Sequence, residues 1–407
     1  MRKPTMPAGP QSGRMQGRGL WAGLAGALAL ALLLALAHLH SPAVRDTLGE
    51  KELIGPLYFP GHTQGPDLSA RAAVLMDART GVVLYGKNEL QRRAPASTTK
   101  ILTAILALER GRLDEVVTVH RGATRVGGSQ IWLEPGEKLT LLELLKGMML
   151  PSGNDAATAI AYHIGGSVEG FARLMNLRAR QLGAFHSHFV NPSGLPDPNH
   201  YTTAYDLAMI ARWGLELPEF RQIVRLRSDQ IPWGAHEWRR SLFNTNRLLW
   251  GFAGADGVKT GTTSDAGPCL VASATREGWQ LLSVVLGSSN RWDDSARLLE
   301  YGFSHFRPHQ VVAKGQKVGE AEVYASRREL TLLAAQTLVL PLRVEDISRL
   351  QWVVELLQSP LIPPVQAGQG VGWLKALLDG QLLGQVPVMA GQSVHKRGRS
   401  VIMDGGN

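Results

Sequence analysis

The stretch PASTTKILTAILALE, from Pro95 to Glu109, places a serine and a lysine at the start of an apolar helical pattern. Pro95 favours an extended residue before it, and apolar side chains recur on one face after Lys100. We therefore predict a helix over Thr99 to Leu108. Ser97 should lie at its N-terminus, with Lys100 on the same side three residues later.

Two interpretations of Ser97 fit this stretch. Serine is a favoured N-cap, so capping alone would explain it. Capping alone does not explain Lys100, because a positive charge in the first turn of a helix is opposed by the positive end of the helix dipole. That opposition and burial together lower a lysine pKa towards the range in which the neutral amine accepts a proton. Ser97 is therefore a candidate nucleophile with Lys100 as its base, and both interpretations stay open at this point.

Two further motifs give the pattern its context, because Ser-x-x-Lys alone is expected about once in a chain of this length. Ser152-Gly-Asn154 lies in a turn between two helical patterns, where it can direct a hydroxyl and a carboxamide into a cleft. Lys259-Thr-Gly261 precedes an apolar strand, where the first two residues can hold a carboxylate and Gly261 leaves room for a substrate backbone. The alternative for the Ser152 motif is a plain turn, and the alternative for the Lys259 motif is a surface hairpin. The three motifs in this order are typical of penicillin-binding proteins and class A β-lactamases.

The chain around these motifs predicts an α+β fold. Strand-like runs begin at Ala72, with a turn ending at Gly81, and two more cover 268–275 and 279–287. A helix from Asp293 to Tyr301 follows them. The other helical patterns are Leu139 to Met149, Asp155 to His163, Val168 to Leu182, and Thr203 to Trp213. Strands at both ends with helices between them indicate one antiparallel sheet packed against a helical insert.

A change of pattern after Phe306 predicts a second domain. Short apolar runs separated by Gly or Pro surround Val311, Val318, Val323, Leu332, Val353, Val371 and Val386. Asp379-Gly380 is typical of a hairpin turn. We expect a small all-β domain over 307–394 and a polar tail over 395–407.

The first 45 residues are typical of export. Five basic residues and no acidic one lie there, and they supply more than half of the net charge of +9. The uncharged apolar run from Trp21 to Ala37 predicts either a signal peptide or a retained membrane anchor. Either would place Asp46 onward outside the cytoplasm. Residues 46–67 contain three Gly/Pro pairs and are interpreted as a linker, and the one cysteine, Cys269, as a buried structural thiol.

The sequence resembles the low-molecular-mass penicillin-binding proteins that are serine-type D-alanyl-D-alanine carboxypeptidases, the S11 peptidase family. The resemblance runs from about Leu68 to Val394. It is carried by GSQIWLEPGEKLTLLELLKGMMLPSGNDAA, FVNPSGLPDPNHYTTAYDLAMIAR, DGVKTGTTSDAGPCLVASA and PVQAGQGVGWLKALLDGQLLGQVPV. It implies a β-lactamase/transpeptidase-like catalytic domain over 68–306. A β-sandwich-like C-terminal domain over 307–394 would follow it.

The resemblance also implies roles in catalysis. Ser97 would be the acylated nucleophile and Lys100 its general base. Ser152 would relay protons towards the leaving D-alanine, and Asn154 would hydrogen-bond the peptide of the substrate.

The same resemblance implies a site for the terminal carboxylate of the substrate. Lys259 and Thr260, beside Gly261, would surround it, and Arg291 would help to hold it. The backbone N–H groups of Ser97 and Thr262 would form the oxyanion hole. Thr262 replaces a histidine that some family members have there.

The implied activity is removal of the terminal D-alanine from peptidoglycan stem peptides through an acyl-enzyme, with β-lactams as trapping inhibitors. A β-lactamase is one alternative. It needs a glutamate about 35 residues beyond Ser-x-Asn, and the only acids between Ser152 and Asp197 are Asp155 and Glu169. A non-catalytic envelope scaffold or β-lactam sensor is the other alternative.

Several other classes of function lack a sequence signal. The histidines show no metal-binding spacing, a Gly-rich phosphate loop is absent, and the implied mechanism needs no cofactor. The modest charge outside the N-terminal head does not support nucleic-acid binding. The C-terminal SVIMDGGN has no apolar stripe, so we expect membrane attachment, if any, through the N-terminal run.

Overall fold

The computed structural model describes residues 56–234, 236–326 and 329–395. The predicted signal or anchor over 1–45 and residues 46–55 of the predicted linker lie outside this part of the chain. The polar tail after His395 also lies outside it.

A central antiparallel sheet organises the N-terminal part of the described chain. The strands of this part are β1 (Ala72–Asp77), β2 (Val83–Lys87), β3 (Val116–Thr118), β4 (Lys138–Thr140), β5 (Ser228–Pro232), β6 (Arg239–Phe243), β7 (Ala255–Thr263), β8 (Gly267–Arg276) and β9 (Trp279–Leu286). Five of them form the central sheet, in the order β2-β1-β9-β8-β7. Strands β3 and β4 pair with each other, as do β5 and β6. The predicted sheet, built from the two ends of this region, is confirmed, and β7 forms one of its edges.

Most of the helices lie between β2 and β7, as the sequence predicts. They are α1 (Lys100–Arg110), α2 (Leu141–Met149), α3 (Asn154–Gly165), α4 (Val168–Gln181), α5 (Ala204–Glu216), α6 (Pro218–Val224), α7 (Leu248–Gly251) and, after the sheet, α8 (Arg291–His305). Short 3₁₀ turns cover Ala96–Thr99, Ala123–Arg125 and Val344–Arg349. The sequence analysis missed α6, α7, the β3–β4 pair and the β5–β6 hairpin.

The sheet is buried on both faces because its strands carry apolar residues at successive positions. Along β1, Val74 and Met76 pack with the apolar side of α1, whereas Ala73 and Leu75 face the opposite way. That second face is covered by α8, with Leu298 among its contacts. This alternation follows from the two-residue period of a strand and produces three layers, with α1 against one face of the sheet.

The C-terminal part is all-β, as predicted. Its strands are β10 (Arg307–Val312), β11 (Lys317–Ala321), β12 (Leu330–Ala334), β13 (Leu338–Leu342), β14 (Leu350–Leu356), β15 (Gly370–Leu378) and β16 (Gln381–Ala390). Five form a sheet in the order β11-β12-β16-β15-β14, and β10 pairs with β13. The predicted turn between β15 and β16 has φ of 51° at Asp379 and 79° at Gly380, which suits a tight hairpin. The run around Val323 forms only a single bridge, to Leu361.

Part of the segment interpreted as a linker is packed on the fold. Phe59 is 1% exposed, its N–H donates to the Val83 carbonyl, and its ring meets the Phe306 ring edge-on. Residues 56–67 therefore belong to the folded unit. The linker prediction rested on the three Gly/Pro pairs and gave no weight to Phe59, which lies between the first and the second of them. Cys269 is buried as predicted, and burial raises the pKa of its thiol to about 11.

Candidate active site

Ser97 lies in the 3₁₀ turn Ala96–Thr99, immediately before α1 begins at Lys100. Neither the turn nor α1 has a side-chain N-cap hydrogen bond, so Ser97 is not acting as the cap that the sequence left open. The Ser97 hydroxyl is half-buried and lies 2.9 Å from the amine of Lys100. The predicted pairing of these two residues is therefore present.

Close backbone packing fixes the turn that carries Ser97. Ala96 has φ of 50°, an uncommon conformation for a residue with a Cβ. A Cβ at Gly194 would lie 1.8 Å from the Ala96 carbonyl oxygen, and one at Gly261 would lie 2.8 Å from the Ser97 nitrogen. Gly261 thus makes room for the nucleophile's own backbone, whereas the sequence analysis assigned that space to a substrate.

Lys100 is the centre of a buried hydrogen-bond network. Its side chain is 0% exposed, and its Nζ is 2.7 Å from Asn154 Oδ1 and 2.8 Å from the Ser193 carbonyl oxygen, in addition to Ser97 Oγ. The Asn154 amide nitrogen donates to the Gly127 carbonyl at 2.7 Å. Asn154 therefore positions Lys100 directly.

The partners of Lys100 define what its amine can do. The carbonyl oxygens of Asn154 and Ser193 accept hydrogen bonds and cannot donate them. A neutral amine has two hydrogens, which these two oxygens use, and its lone pair then faces the Ser97 hydroxyl. The geometry is that of a base ready to receive the Ser97 proton.

The electrostatics favour the neutral amine. Burial holds the pKa of Lys100 well below its usual value, and the nearby charge of Lys259 lowers it further, against an opposing contribution from Asp155. Lys259 is itself only 1% exposed, and burial, reinforced by the charge of Arg291, lowers its pKa to about 7. Burial therefore lowers the pKa of both lysines, and that of Lys259 lies near neutrality.

The Ser152 loop lies next to this network. Ser152 has φ of 73°, is 6% exposed, and its buried Oγ has no hydrogen-bond partner among the described residues. A buried hydroxyl without a partner is costly, and residues held in rare backbone conformations cluster at functional sites. Two residues later, Asn154 begins α3, so the loop that carries Ser152 also fixes the partner of Lys100.

Strand β7 brings the third motif to the same place. Within the described residues, the one hydrogen bond of the Lys259 amine is to the Thr260 carbonyl at 3.2 Å. The Thr260 hydroxyl is 2.6 Å from the hydroxyl of Thr245, whose N–H donates to the Leu150 carbonyl just before the Ser152 loop. Lys259 is thus a buried amine without a carboxylate partner among the described residues, an arrangement that favours binding of an anion by its protonated form.

Arg291 is the first residue of α8 and reaches the end of β7. Its Nη1 donates to the Gly261 carbonyl and to the Thr262 hydroxyl, both at 2.8 Å, and lies 3.3 Å from the Cys269 carbonyl. Thr262 is exposed, and its hydroxyl also donates to Gly261 O at 2.8 Å. The structure therefore places Arg291 beside the Lys-Thr-Gly motif.

Sequence reasoning missed the residues that hold these groups in place. The Asn191 side chain accepts N–H groups from Ser193, Gly194 and Leu195, which orients the Ser193 carbonyl towards Lys100. The Asn-Pro-Ser-Gly sequence at 191–194 is typical of a turn, which was a usable signal. Thr245 gave no such signal, because its partner is distant in sequence.

Two absences hold for the part of the chain that the structure describes. Among those residues, His, Cys, Asp and Glu form no group of three or more suited to hold a metal ion. No helix within 56–234, 236–326 or 329–395 has the length and apolarity needed to cross a membrane.

Comparison with known proteins assigns both parts of the chain. Residues 61–290 match the peptidase S11 family, D-alanyl-D-alanine carboxypeptidase, and residues 306–396 match the C-terminal domain of penicillin-binding protein 5. The D-alanyl-D-alanine carboxypeptidase DacF of Bacillus subtilis is 36% identical over 342 residues, which cover 81% of this chain and 87% of the relative.

Solved structures agree with this assignment. Penicillin-binding protein 5 from Haemophilus influenzae aligns with a TM-score of 0.72 at 31% identity, over 82% of this chain and 99% of that one. The Streptomyces K15 DD-transpeptidase aligns with a TM-score of 0.57 at 35% identity, over 59% of this chain and 99% of that one. The fold is that of the penicillin-binding proteins, an α+β catalytic domain followed by a β domain. Within that class, the chain belongs to the peptidase S11 family of D-alanyl-D-alanine carboxypeptidases.

Proposed function

We propose that this protein removes the terminal D-alanine from peptidoglycan stem peptides that end in D-Ala-D-Ala. The observation that carries the proposal is the buried amine of Lys100, 2.9 Å from the Ser97 hydroxyl and otherwise surrounded by acceptors. Membership of the carboxypeptidase family supports the choice of substrate.

Acylation begins at Ser97. Neutral Lys100 takes the hydroxyl proton as Ser97 Oγ attacks the carbonyl of the penultimate D-alanine. The backbone N–H groups of Ser97 and Thr262 stabilise the developing oxyanion. Collapse of the tetrahedral intermediate breaks the peptide bond and leaves an ester on Ser97.

The leaving D-alanine must gain a proton at its nitrogen. In this proposal Ser152 passes it from protonated Lys100. Among the described residues the buried Ser152 hydroxyl has no hydrogen-bond partner, Lys100 included, so the relay would form once the substrate is bound. Asn154 holds the Lys100 amine, and its second N–H is available to the peptide of the substrate.

The substrate carboxylate binds at β7. Lys259 supplies a buried positive charge, and the Thr260 hydroxyl, held by Thr245, supplies a hydrogen bond. Arg291, bonded to the Gly261 carbonyl, adds a second cation and fixes the strand end. Recognition of the terminal carboxylate distinguishes a carboxypeptidase substrate from an internal peptide bond.

The ester is hydrolysed by water in the second half of the reaction. Because a β-lactam presents a strained amide in place of the D-Ala-D-Ala bond and retains its leaving group after opening, it acylates Ser97 and remains attached. Penicillin is therefore a trapping inhibitor in this proposal.

The two alternative functions are less well supported. Asp155 cannot serve as the deacylating base of a class A β-lactamase, because its carboxylate accepts N–H groups from Ile131, Leu133 and Ala156. An inert scaffold would not require the paired Ser97 and Lys100. Rapid turnover of a chromogenic cephalosporin would favour the β-lactamase, and absence of any β-lactam adduct would favour the scaffold.

The envelope is the proposed place of action. The N-terminal basic head and apolar run direct export, either as a cleaved signal or as an anchor over 1–45, and the catalytic domain over 68–306 then faces the wall. In this proposal the C-terminal β domain covers 307–394. N-terminal sequencing of the protein from membrane and culture fractions would distinguish anchor from signal.

The direct test is D-alanine release from a peptide ending in D-Ala-D-Ala by the wild type and by Ser97→Ala. We expect release by the wild type and none by the variant, with penicillin labelling lost in parallel. Release that persists in the purified variant would refute the assignment of the nucleophile.

A further inference from the structure

Trp132 stands out on the surface beside the candidate active site. Its side chain is 67% exposed, and its backbone has φ of 62°. A bulky residue in this left-handed conformation is a genuine outlier. An exposed tryptophan also forgoes the favourable free energy of burying its large apolar surface. Strain of this kind persists only where the surrounding structure imposes it.

The surroundings of Trp132 do impose it. The Asp155 carboxylate accepts the N–H groups of both Ile131 and Leu133, which flank the tryptophan. The Trp132 carbonyl accepts from Arg240, which is 4% exposed and pairs with Glu137 at 3.1 Å. These hydrogen bonds fix the backbone around Trp132 in the conformation that leaves its indole exposed.

The β5–β6 hairpin adds aromatic rings to the same surface. The Arg240 guanidinium that binds the Trp132 carbonyl also lies over the Trp233 ring, 5.0 Å from its centroid. Trp238, two residues before Arg240, is 62% exposed and stacks with His236 at 4.6 Å. Trp132, Trp233 and Trp238 are named here the aromatic platform.

The platform is continuous with the candidate active site. The Asn154 N–H donates to the Ser129 carbonyl at 2.7 Å, and its side chain donates to the Gly127 carbonyl. Asp155, the next residue, holds Ile131 and Leu133. The loop over 127–133 therefore contacts the partner of Lys100 at one end and carries Trp132 at the other.

We propose that the aromatic platform binds sugar rings of the glycan strand to which the stem peptide is attached. This rests on the proposed function, because the peptide at Ser97 and the sugar at Trp132 would belong to one substrate. A pyranose presents a flat C–H face that packs on an indole, with hydroxyls at its rim. The indole N–H groups of Trp132 and Trp238 have no hydrogen-bond partner among the described residues and are available to those hydroxyls.

The charges nearby favour a sugar over a membrane. Exposed tryptophans also occur at lipid interfaces, but there they are accompanied by Lys and Arg, which anionic headgroups attract. Here exposed Glu134 lies two residues after Trp132, and exposed Glu237 directly precedes Trp238. Exposed Arg239 directly follows Trp238 and donates to the Gln230 carbonyl. The described residues at this rim thus form no basic cluster that would attract an anionic bilayer, and an uncharged sugar needs none.

Binding of peptide-free glycan strands by the full-length chain tests the platform without any cleavage. The probe is a neutral oligosaccharide of N-acetylglucosamine, because removing the peptides from a wall strand would leave a free carboxylate on each N-acetylmuramic acid residue. We expect Trp132→Ala to raise the Kd about tenfold, which corresponds to about 1.4 kcal/mol, and Trp132→Phe to raise it less. Trp250→Ala, which removes another exposed tryptophan, on α7, should bind the glycan as the wild type does.

Kinetics give the second readout. For Trp132→Ala, the loss in kcat/KM on a disaccharide-pentapeptide should exceed the loss on a free pentapeptide by about tenfold, carried by KM. Equal losses on both substrates, or unchanged glycan binding, would overturn the proposal. Loss of binding to phosphatidylglycerol vesicles with glycan binding unchanged would overturn it in favour of a membrane surface.

The two proposals fail separately. If the wild type bound glycan through Trp132 but released no D-alanine from any peptide, the proposed activity would be wrong while the platform remained.

Discussion

The amine of Lys100 lies 2.9 Å from the hydroxyl of Ser97, and its other two partners, Asn154 and Ser193, offer only acceptor oxygens. This contact decides between the two interpretations of Ser97, as an N-cap and as a nucleophile. A capping serine would bond a backbone N–H of the first turn, whereas this one faces a buried amine whose pKa is lowered by burial.

Removing the base while keeping its shape should abolish acylation. Lys100→Met fills a similar volume but has no lone pair for the Ser97 proton, so we expect penicillin acylation to fall by about 10³-fold. The measurement is the rate of adduct formation by mass spectrometry. Lys138→Met, at an exposed position on β4, is the matched control and should acylate normally. An acylation rate in Lys100→Met within a factor of about ten of the wild type would contradict the assignment of the base.

The pH dependence follows from the two lysines. Acylation needs neutral Lys100, so kcat/KM should rise with pH through its lowered pKa. Binding of the substrate carboxylate needs charged Lys259, whose pKa of about 7 predicts a fall in kcat/KM as pH rises beyond that value. The profile should therefore be bell-shaped.

Lys259→Arg provides the control for that profile. A guanidinium stays protonated across this range, so the falling limb should disappear below about pH 10 while the rising limb stays. A falling limb that is unchanged in Lys259→Arg would show that another group titrates there.

Adding one methyl group at Gly261 should displace the nucleophile. Its Cβ would lie 2.8 Å from the Ser97 nitrogen and 3.0 Å from the Pro95 carbonyl oxygen, both backbone atoms that cannot rotate away. We expect Gly261→Ala to fold and to lose about 10²-fold in acylation rate, the cost of a small misplacement of reacting groups. Gly251→Ala, whose Cβ would meet nothing within 4 Å, should keep the wild-type rate. A fully active Gly261→Ala would refute this role of the close approach.

Ser152 should show a trade-off between stability and activity. Its φ of 73° suits glycine, so Ser152→Gly should raise the free energy of unfolding by about 1 kcal/mol while D-alanine release falls about 10²-fold. Glu277→Gly, at the exposed β8–β9 turn with φ of 51°, should gain similar stability with full activity. Denaturant unfolding and a D-alanine assay measure the two effects, and a Ser152→Gly variant that is both stabilised and fully active would contradict the role of the hydroxyl.

The sequence predicted the parts of the fold that depend on local pattern. The periodic helices near 100–110 and 168–181 and the Asp379-Gly380 turn were found because their signals lie within a few residues. The β5–β6 hairpin was missed, because polar residues, Arg239 and Arg240 among them, occupy most of its strands. Phe59 was missed because its packing partner, Phe306, is far away in the chain.

The candidate site likewise has a part that local sequence pattern predicts and a part that it does not. The Ser97–Lys100 pairing follows from helical spacing, so the sequence was sufficient for it. The Ser193 carbonyl, the Thr245 hydroxyl and the close approach of Gly261 come from segments that only tertiary packing brings together. The strained conformation of Trp132 likewise depends on the remote Asp155 and Arg240.

One experiment addresses the core of this account: the intact mass of the protein after incubation with penicillin, followed by peptide mapping of the adduct. We predict a single added penicilloyl group on the peptide that contains Ser97, and none on the Lys100→Met variant in the same time. An adduct on any other serine, or a wild-type chain that stays unmodified, would contradict the claim that Lys100 activates Ser97 for acyl transfer.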